Sequence, residues 1–227
     1  MESTLAALLL QLSPNNPQQE SLSVIDLAFE GGFTMIPILL LSVAGLYIFF
    51  ERIITIKRAA RNPQGWMRKV KQLVLEGNIE AAKQLCENKN TPIARMIAKG
   101  LSRIGSPLKN IETSIEYVGK IEVYRLERNL SMLATIAGAA PMVGFLGTVI
   151  GMIQAFMVIS QQEGAVSPQL LSSGIYTAMV TTVAGLIVGI LMNLAYNYLV
   201  GQVQKVIHNM EYISMDFLDL LQEPQKK

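Results

Sequence analysis

Four threonines, Thr148, Thr177, Thr181 and Thr182, stand in long uncharged stretches among glycines and alanines at helical spacing. A hydroxyl does not ionise near neutral pH, but it both donates and accepts hydrogen bonds, so it can hold water or share a proton with a carboxyl group. Placed at 100° per residue, Thr177, Ala178, Thr181, Thr182, Gly185, Gly189 and Asn193 fall within about 160° of one another. Met179, Val180, Val183, Leu186, Ile187, Ile190 and Leu194 occupy the opposite side. Around Thr148 the same construction gathers Ala137, Ala140, Pro141, Gly144, Gly147, Gly151, Gln154 and Ala155 on one face. Met142, Phe145, Val149, Ile153 and Phe156 lie on the other.

A small face of this kind has two uses. Small residues let membrane helices approach closely, Gly147 to Gly151 being a G-x-x-x-G step, and a threonine can bond its own preceding turn. Alternatively, two such faces could border a wet path, provided several protomers form a ring, because one protomer has too few helices to enclose it. The uncharged runs contain no Asp, Glu, Lys, Arg or His. If protons cross, a partner must therefore bring the titratable group.

The elements that position these faces follow from hydropathy and charge. Half of the 227 residues are hydrophobic (51%) and only 16% are charged, with mean hydropathy +0.36, which points to a membrane protein. Between Glu30 and Glu51 lie 20 uncharged residues, enough at about 1.5 Å each to cross a hydrocarbon core of about 30 Å. Uncharged runs at 129–162 and 164–204 contain two more spans. The expected organisation is an external segment 1–30, spans at 31–51, 135–159 and 174–198, a cytoplasmic helical segment 52–134, an external loop 160–173, and a cytoplasmic helix and tail 199–227. Orientation follows from the basic residues: 16 of 19 Lys and Arg lie between Arg52 and Arg128, and the rest are Lys205, Lys226 and Lys227. The amino terminus is thus expected outside, and the segment after Arg52 and the tail inside. The opening MESTLAALLLQL lacks a basic start and a cleavage site, and is read as a short interfacial helix.

The cytoplasmic segment reads as short helices, with Asn78 and Thr91 as N-caps and Gly77 and Gly105 as stops. After Pro107 the periodicity of Ile111, Ile115, Val118, Leu126, Leu130 and Leu133 predicts one long rod rising into the second span. The interleaved charges of 112–128 read as a solvated face. The tail is amphipathic and should extend the third span inward. A single cysteine, Cys86, and a single histidine, His208, exclude an internal disulfide and His-pair metal chemistry; Cys86 is read as a packing residue. No phosphate-binding loop or nucleophile elbow appears, so no enzyme and no cofactor are expected. A net charge of +2 gives no reason to expect nucleic acid.

The segments GGFTMIPILLLSVAGLYIFFER (31–52), APMVGFLGTVIGMIQAF (140–156) and GIYTAMVTTVAGLIVGILMNLAYN (174–197) resemble the ExbB, TolQ and MotA family of energy-coupling motor proteins. The likeness covers roughly 25–200, and the GFLGTVIGM core is its specific part. MotA differs in having four spans and a larger cytoplasmic domain. The resemblance implies an all-α inner-membrane protein forming a pentamer around the single-span helices of an ExbD- or TolR-like dimer, whose membrane aspartate carries the proton. Work would pass through a TonB- or TolA-like protein to the outer membrane. It also implies that Thr148 and Thr182 line the lumen, with Thr177 and Thr181 beside them and Gly144, Gly147, Gly151, Ala178, Gly185 and Gly189 forming the small face. Many ExbB-like chains carry a glutamate five residues before the second threonine; here that slot is Thr177. A non-conducting scaffold around a partner helix is the reading from a different class, and a TolQ-like role is the nearer alternative.

Overall fold

The uncharged run after Glu30 forms a 3-10 turn, Gly32–Thr34, and helix α1, Met35–Ala59. Pro37 sits in the first turn of α1, where a missing N–H removes no intrahelical bond. The chain is seen here as a computed structural model that describes residues 32–60, 64–161 and 168–222. The interfacial helix expected near the amino terminus, and residues 162–167 of the loop expected at 160–173, lie outside the described residues; 160–161 and 168–173 are helical, so the described part of that loop is shorter than expected.

Three short helices follow: α2, Gln64–Leu75, α3, Ile79–Glu87, and α4, Pro92–Leu101. Their ends are local chemistry. Asn78 accepts from the Ala81 N–H at 3.2 Å and Thr91 from the Ala94 N–H at 3.4 Å, so both act as the N-caps expected. Gly77 and Gly105 turn the chain at φ +77° and +96°, a region that a Cβ disfavours. Helix α5, Leu108–Glu127, leads to α6, Leu130–Gln161, and α7, Pro168–Gln222, is a single helix of 55 residues. The described residues contain no strand. The fold is all-α.

Three stretches, Gly32–Ala59, Leu108–Gln161 and Gly174–Gln222, contain helix long and apolar enough to cross a membrane. Their outward surfaces suit lipid: Leu39, Leu40, Val43 and Tyr47 on α1, Met142 and Phe145 on α6, and Ile190 and Leu194 on α7 are all exposed.

The rod expected from α5 into α6 is interrupted. Arg128 has extended geometry and Asn129 the left-handed φ of +65°, after which the Leu133 N–H returns to the Asn129 carbonyl. Apolar spacing continues through the break, which is why periodicity alone reads it as continuous; asparagine is one of the few side chains that tolerates the left-handed region.

The core lies among the charge-bearing helices α2–α5 and the carboxyl-terminal part of α7. Leu199, Val203, Val206, Met210, Ile213 and Phe217 of α7 are buried at alternating steps of four and three, the spacing of a packed helical seam. Against it lie Val70, Ile97, Leu101 and Ile115 from the shorter helices. Lys71 pairs with Asp216 at 2.5 Å, tying α2 to α7. Cys86 is buried and unpaired, in keeping with a packing role, and burial pushes its thiol up to about 12.

Candidate functional site

The small faces of α6 and α7 meet each other. A Cβ added to Gly144 would stand 2.8 Å from the Thr181 carbonyl oxygen and 3.2 Å from the Gly185 Cα; one added to Gly185 would stand 2.6 Å from the Ala140 carbonyl. Gly151 faces Ala178 in the same way, and Gly189 faces Pro141 and the Ala137 carbonyl. Glycine is required at these positions because backbone, which cannot swing aside, occupies the space. A Cβ at Gly147 would stand 2.5 Å from the Thr181 Oγ1 and 3.1 Å from the Thr34 Oγ1, so the start of α1 closes on the same point.

The four threonines divide by exposure. Thr181 is buried, 1% exposed, and its hydroxyl donates to the Ala178 carbonyl at 2.7 Å and lies 3.4 Å from the Gly144 carbonyl. Thr182 is half-buried and donates across the helix pair to the same Gly144 carbonyl at 3.1 Å. Thr148 is half-buried and donates to the Phe145 carbonyl at 2.6 Å, while Thr177 is half-buried on α7. Sequence reasoning counted hydroxyl protons as available to a partner carboxylate. In the structure those of Thr148 and Thr182 are committed to backbone carbonyls, which leaves oxygen lone pairs as the free hydrogen-bonding capacity. Such a hydroxyl accepts from water or from a protonated carboxyl.

Below the membrane segment lies a feature the sequence reading assigned to a solvated face. Glu122 of α5 is 2% exposed and receives two bonds from Arg95 of α4, Nε at 2.9 Å and an Nη at 2.5 Å, with a third from Arg125 at 2.7 Å. Arg52, buried at the end of α1, pairs with Glu51 and donates to the Arg125 carbonyl at 3.2 Å. The signal was available: Glu122 stands one heptad from Ile115, only about 20° away on the helix and inside the apolar arc. This cluster joins α1 to α4 and α5, and both oxygens of Glu122 are occupied. Among the described residues, no group of His, Cys, Asp and Glu is placed to hold a metal ion.

Residues 88–212, which include the break, the small faces of α6 and α7 and the buried seam as far as Met210, match the MotA/TolQ/ExbB proton channel family. The chain belongs to that family. A protein of Methanothermobacter thermautotrophicus named as a biopolymer transport ExbB homolog is 28% identical over 193 residues, 84% of this chain and 68% of its own. An ExbB-like biopolymer transport protein of Synechocystis is 30% identical over 180 residues, 78% of this chain and 71% of its own. The Tol-Pal system protein TolQ of Haemophilus influenzae is 38% identical over 78 residues, 34% of this chain and 34% of its own. The matched region carries the two threonine-bearing uncharged runs.

Proposed function

We propose that this chain is the ring-forming subunit of an inner-membrane proton channel that turns proton-motive force into mechanical work for biopolymer transport. It acts without being an enzyme. Its amino terminus lies outside and its carboxyl terminus in the cytoplasm, as the basic residues between Arg52 and Arg128 favour. Protomers assemble, as a pentamer by family resemblance, around a dimer of ExbD-like single-span helices whose membrane aspartate is the proton carrier. A TonB-like protein takes up the work, and a TolA-like coupling is the variant that the TolQ match favours.

One observation supports this most. The two helices in the family-matching region are held together by glycines, yet they carry threonine hydroxyls at their edge and no carboxylate in the uncharged runs. Thr148 and Thr182 would line the lumen with Thr177, accepting from the protonated aspartic acid or from water. Thr181 stands behind them and ties α7 to α6. Because Thr177 occupies the slot of the family glutamate, the partner's carboxyl is the sole titratable carrier at that depth. Moving one charge through about 100 mV supplies about 2.3 kcal/mol, so a few protons per event compare with the energy of shifting a packed helix interface.

The test is proton flux into liposomes under an imposed potential, for the chain alone and with its single-span partner, wild type or with that partner's aspartate changed to asparagine. Flux is expected only with the intact partner. Flux from the chain alone, or undiminished flux with the asparagine variant, would overturn the assignment of the carrier.

A further inference from the structure

Asn193 and Asn197, both exposed on α7, sit one turn apart near the cytoplasmic end of the third expected span, and the Asn197 Nδ2 donates to the Asn193 Oδ1 at 2.9 Å. That single bond leaves both Asn193 N–H groups, the second Asn197 N–H and the Asn197 carbonyl without partners among the described residues. Side-chain amides turned toward acyl chains would forfeit those bonds, and each unmet polar group in hydrocarbon is costly. Water or a polar surface must therefore face them.

The same side of the helix continues downward. Tyr196, Val200 and Gln204 stand three, seven and eleven residues after Asn193, and all three line a cavity of about 700 Å³. The other wall is the break between α5 and α6: Tyr124, Glu127, Arg128, Asn129 and Ser131. Glu127 is the one carboxylate in that lining. The left-handed turn at Asn129 is what opens the wall, because a continuous helix would keep the Arg128 and Asn129 backbone within its own ladder.

We infer that the amide pair Asn193–Asn197 and the cavity at the α5–α6 break form one hydrated vestibule, through which protons released in the membrane segment reach the cytoplasm. This rests on the channel reading. The amides orient water without titrating. Glu127 and the tyrosine hydroxyls hold that water at the cytoplasmic end, and a proton entering as hydronium leaves to bulk solvent with no bond made or broken in the protein.

Cysteine accessibility in the full chain tests this in unsealed membranes, where a small cationic methanethiosulfonate reaches both faces. The native chain is its own blank, because Cys86 is buried and its thiol is pushed up to about 12. Asn193→Cys, Asn197→Cys and Gln204→Cys should label about ten-fold or more faster than Leu191→Cys, which lies on the opposite, exposed side of α7, since only hydrated thiols reach the reactive thiolate form. Asn193→Ser and Asn197→Ser should keep flux near wild type and Asn193→Leu with Asn197→Leu should lower it several-fold, at unchanged thermal stability. Labelling at 193 and 197 no faster than at 191 would overturn the vestibule and leave the channel reading standing. Fast labelling in a complex that conducts nothing would keep the hydrated crevice and overturn its role as an exit.

Discussion

The membrane half and the charge-bearing half of this molecule are held together by opposite means. Between α6 and α7 contact is backbone to backbone, through Gly144, Gly185 and Gly189, where an added methyl group would meet a carbonyl or a ring. Among the charge-bearing helices contact is large side chain to large side chain, with Phe217, Ile97 and Leu199 almost wholly buried and Glu122 buried beneath the part-exposed guanidinium groups of Arg95 and Arg125. The physical reason is the solvent. Water drives bulky apolar residues together, whereas lipid is as apolar as leucine and leaves close approach and hydrogen bonding as the available attractions. The consequence is that the glycines at the α6–α7 contact tolerate no addition and the buried seam of α7 no removal.

Truncation should therefore hurt most in the charge-bearing half. Phe217→Ala is expected to cost about 3–5 kcal/mol, the loss of a fully buried aromatic, read as a lowered unfolding temperature in detergent. If Phe217→Ala melted like wild type, the seam on α7 would not be the core. Addition should hurt most in the membrane. Gly185→Val, facing the Ala140 carbonyl and the Gly144 Cα, is expected to cost about 3 kcal/mol from overpacking, read as a lowered unfolding temperature in detergent. An unchanged melt would mean that the helices separate without penalty.

A third substitution tests the border between the halves. Glu122→Ala should cost about 1–3 kcal/mol, less than a fully sealed pair, because the guanidinium groups of Arg95 and Arg125 keep access to water when the carboxylate is gone. Adding Arg95→Met to it should recover part of the loss, since an apolar pair removes the desolvated charge. If the double variant were no better than the single, Arg95 would be stabilising the fold through packing alone.

What the sequence made legible differs between the halves in a related way. The three spans could be read because a run such as 31–50 has no charge to interrupt it, and Asn78 and Thr91 could be read as caps because their chemistry is local. The break at Asn129 was hidden because apolar periodicity runs through it, though an asparagine opening an uncharged run was the available sign. Glu122 was hidden because charge was weighed before its place on the helix, one heptad from Ile115. For the candidate site, both small faces were legible from residue size. Which threonine turns inward was not, since Thr181 and Thr182 are adjacent on one face and only the approach of α6 separates a buried hydroxyl from a half-buried one.

The central claim is that the half-buried hydroxyls of Thr148 and Thr182 serve conduction, beyond helix packing. Thr148→Val and Thr182→Val keep the shape and remove the oxygen, while Thr148→Ser and Thr182→Ser keep the oxygen. Proton flux of the reconstituted complex is the direct measurement. Flux about ten-fold lower in the valine pair, corresponding to ~1.4 kcal/mol in barrier, with serine near wild type and equal assembly in both, is the expected result. Equal flux from the valine and wild-type complexes would contradict it.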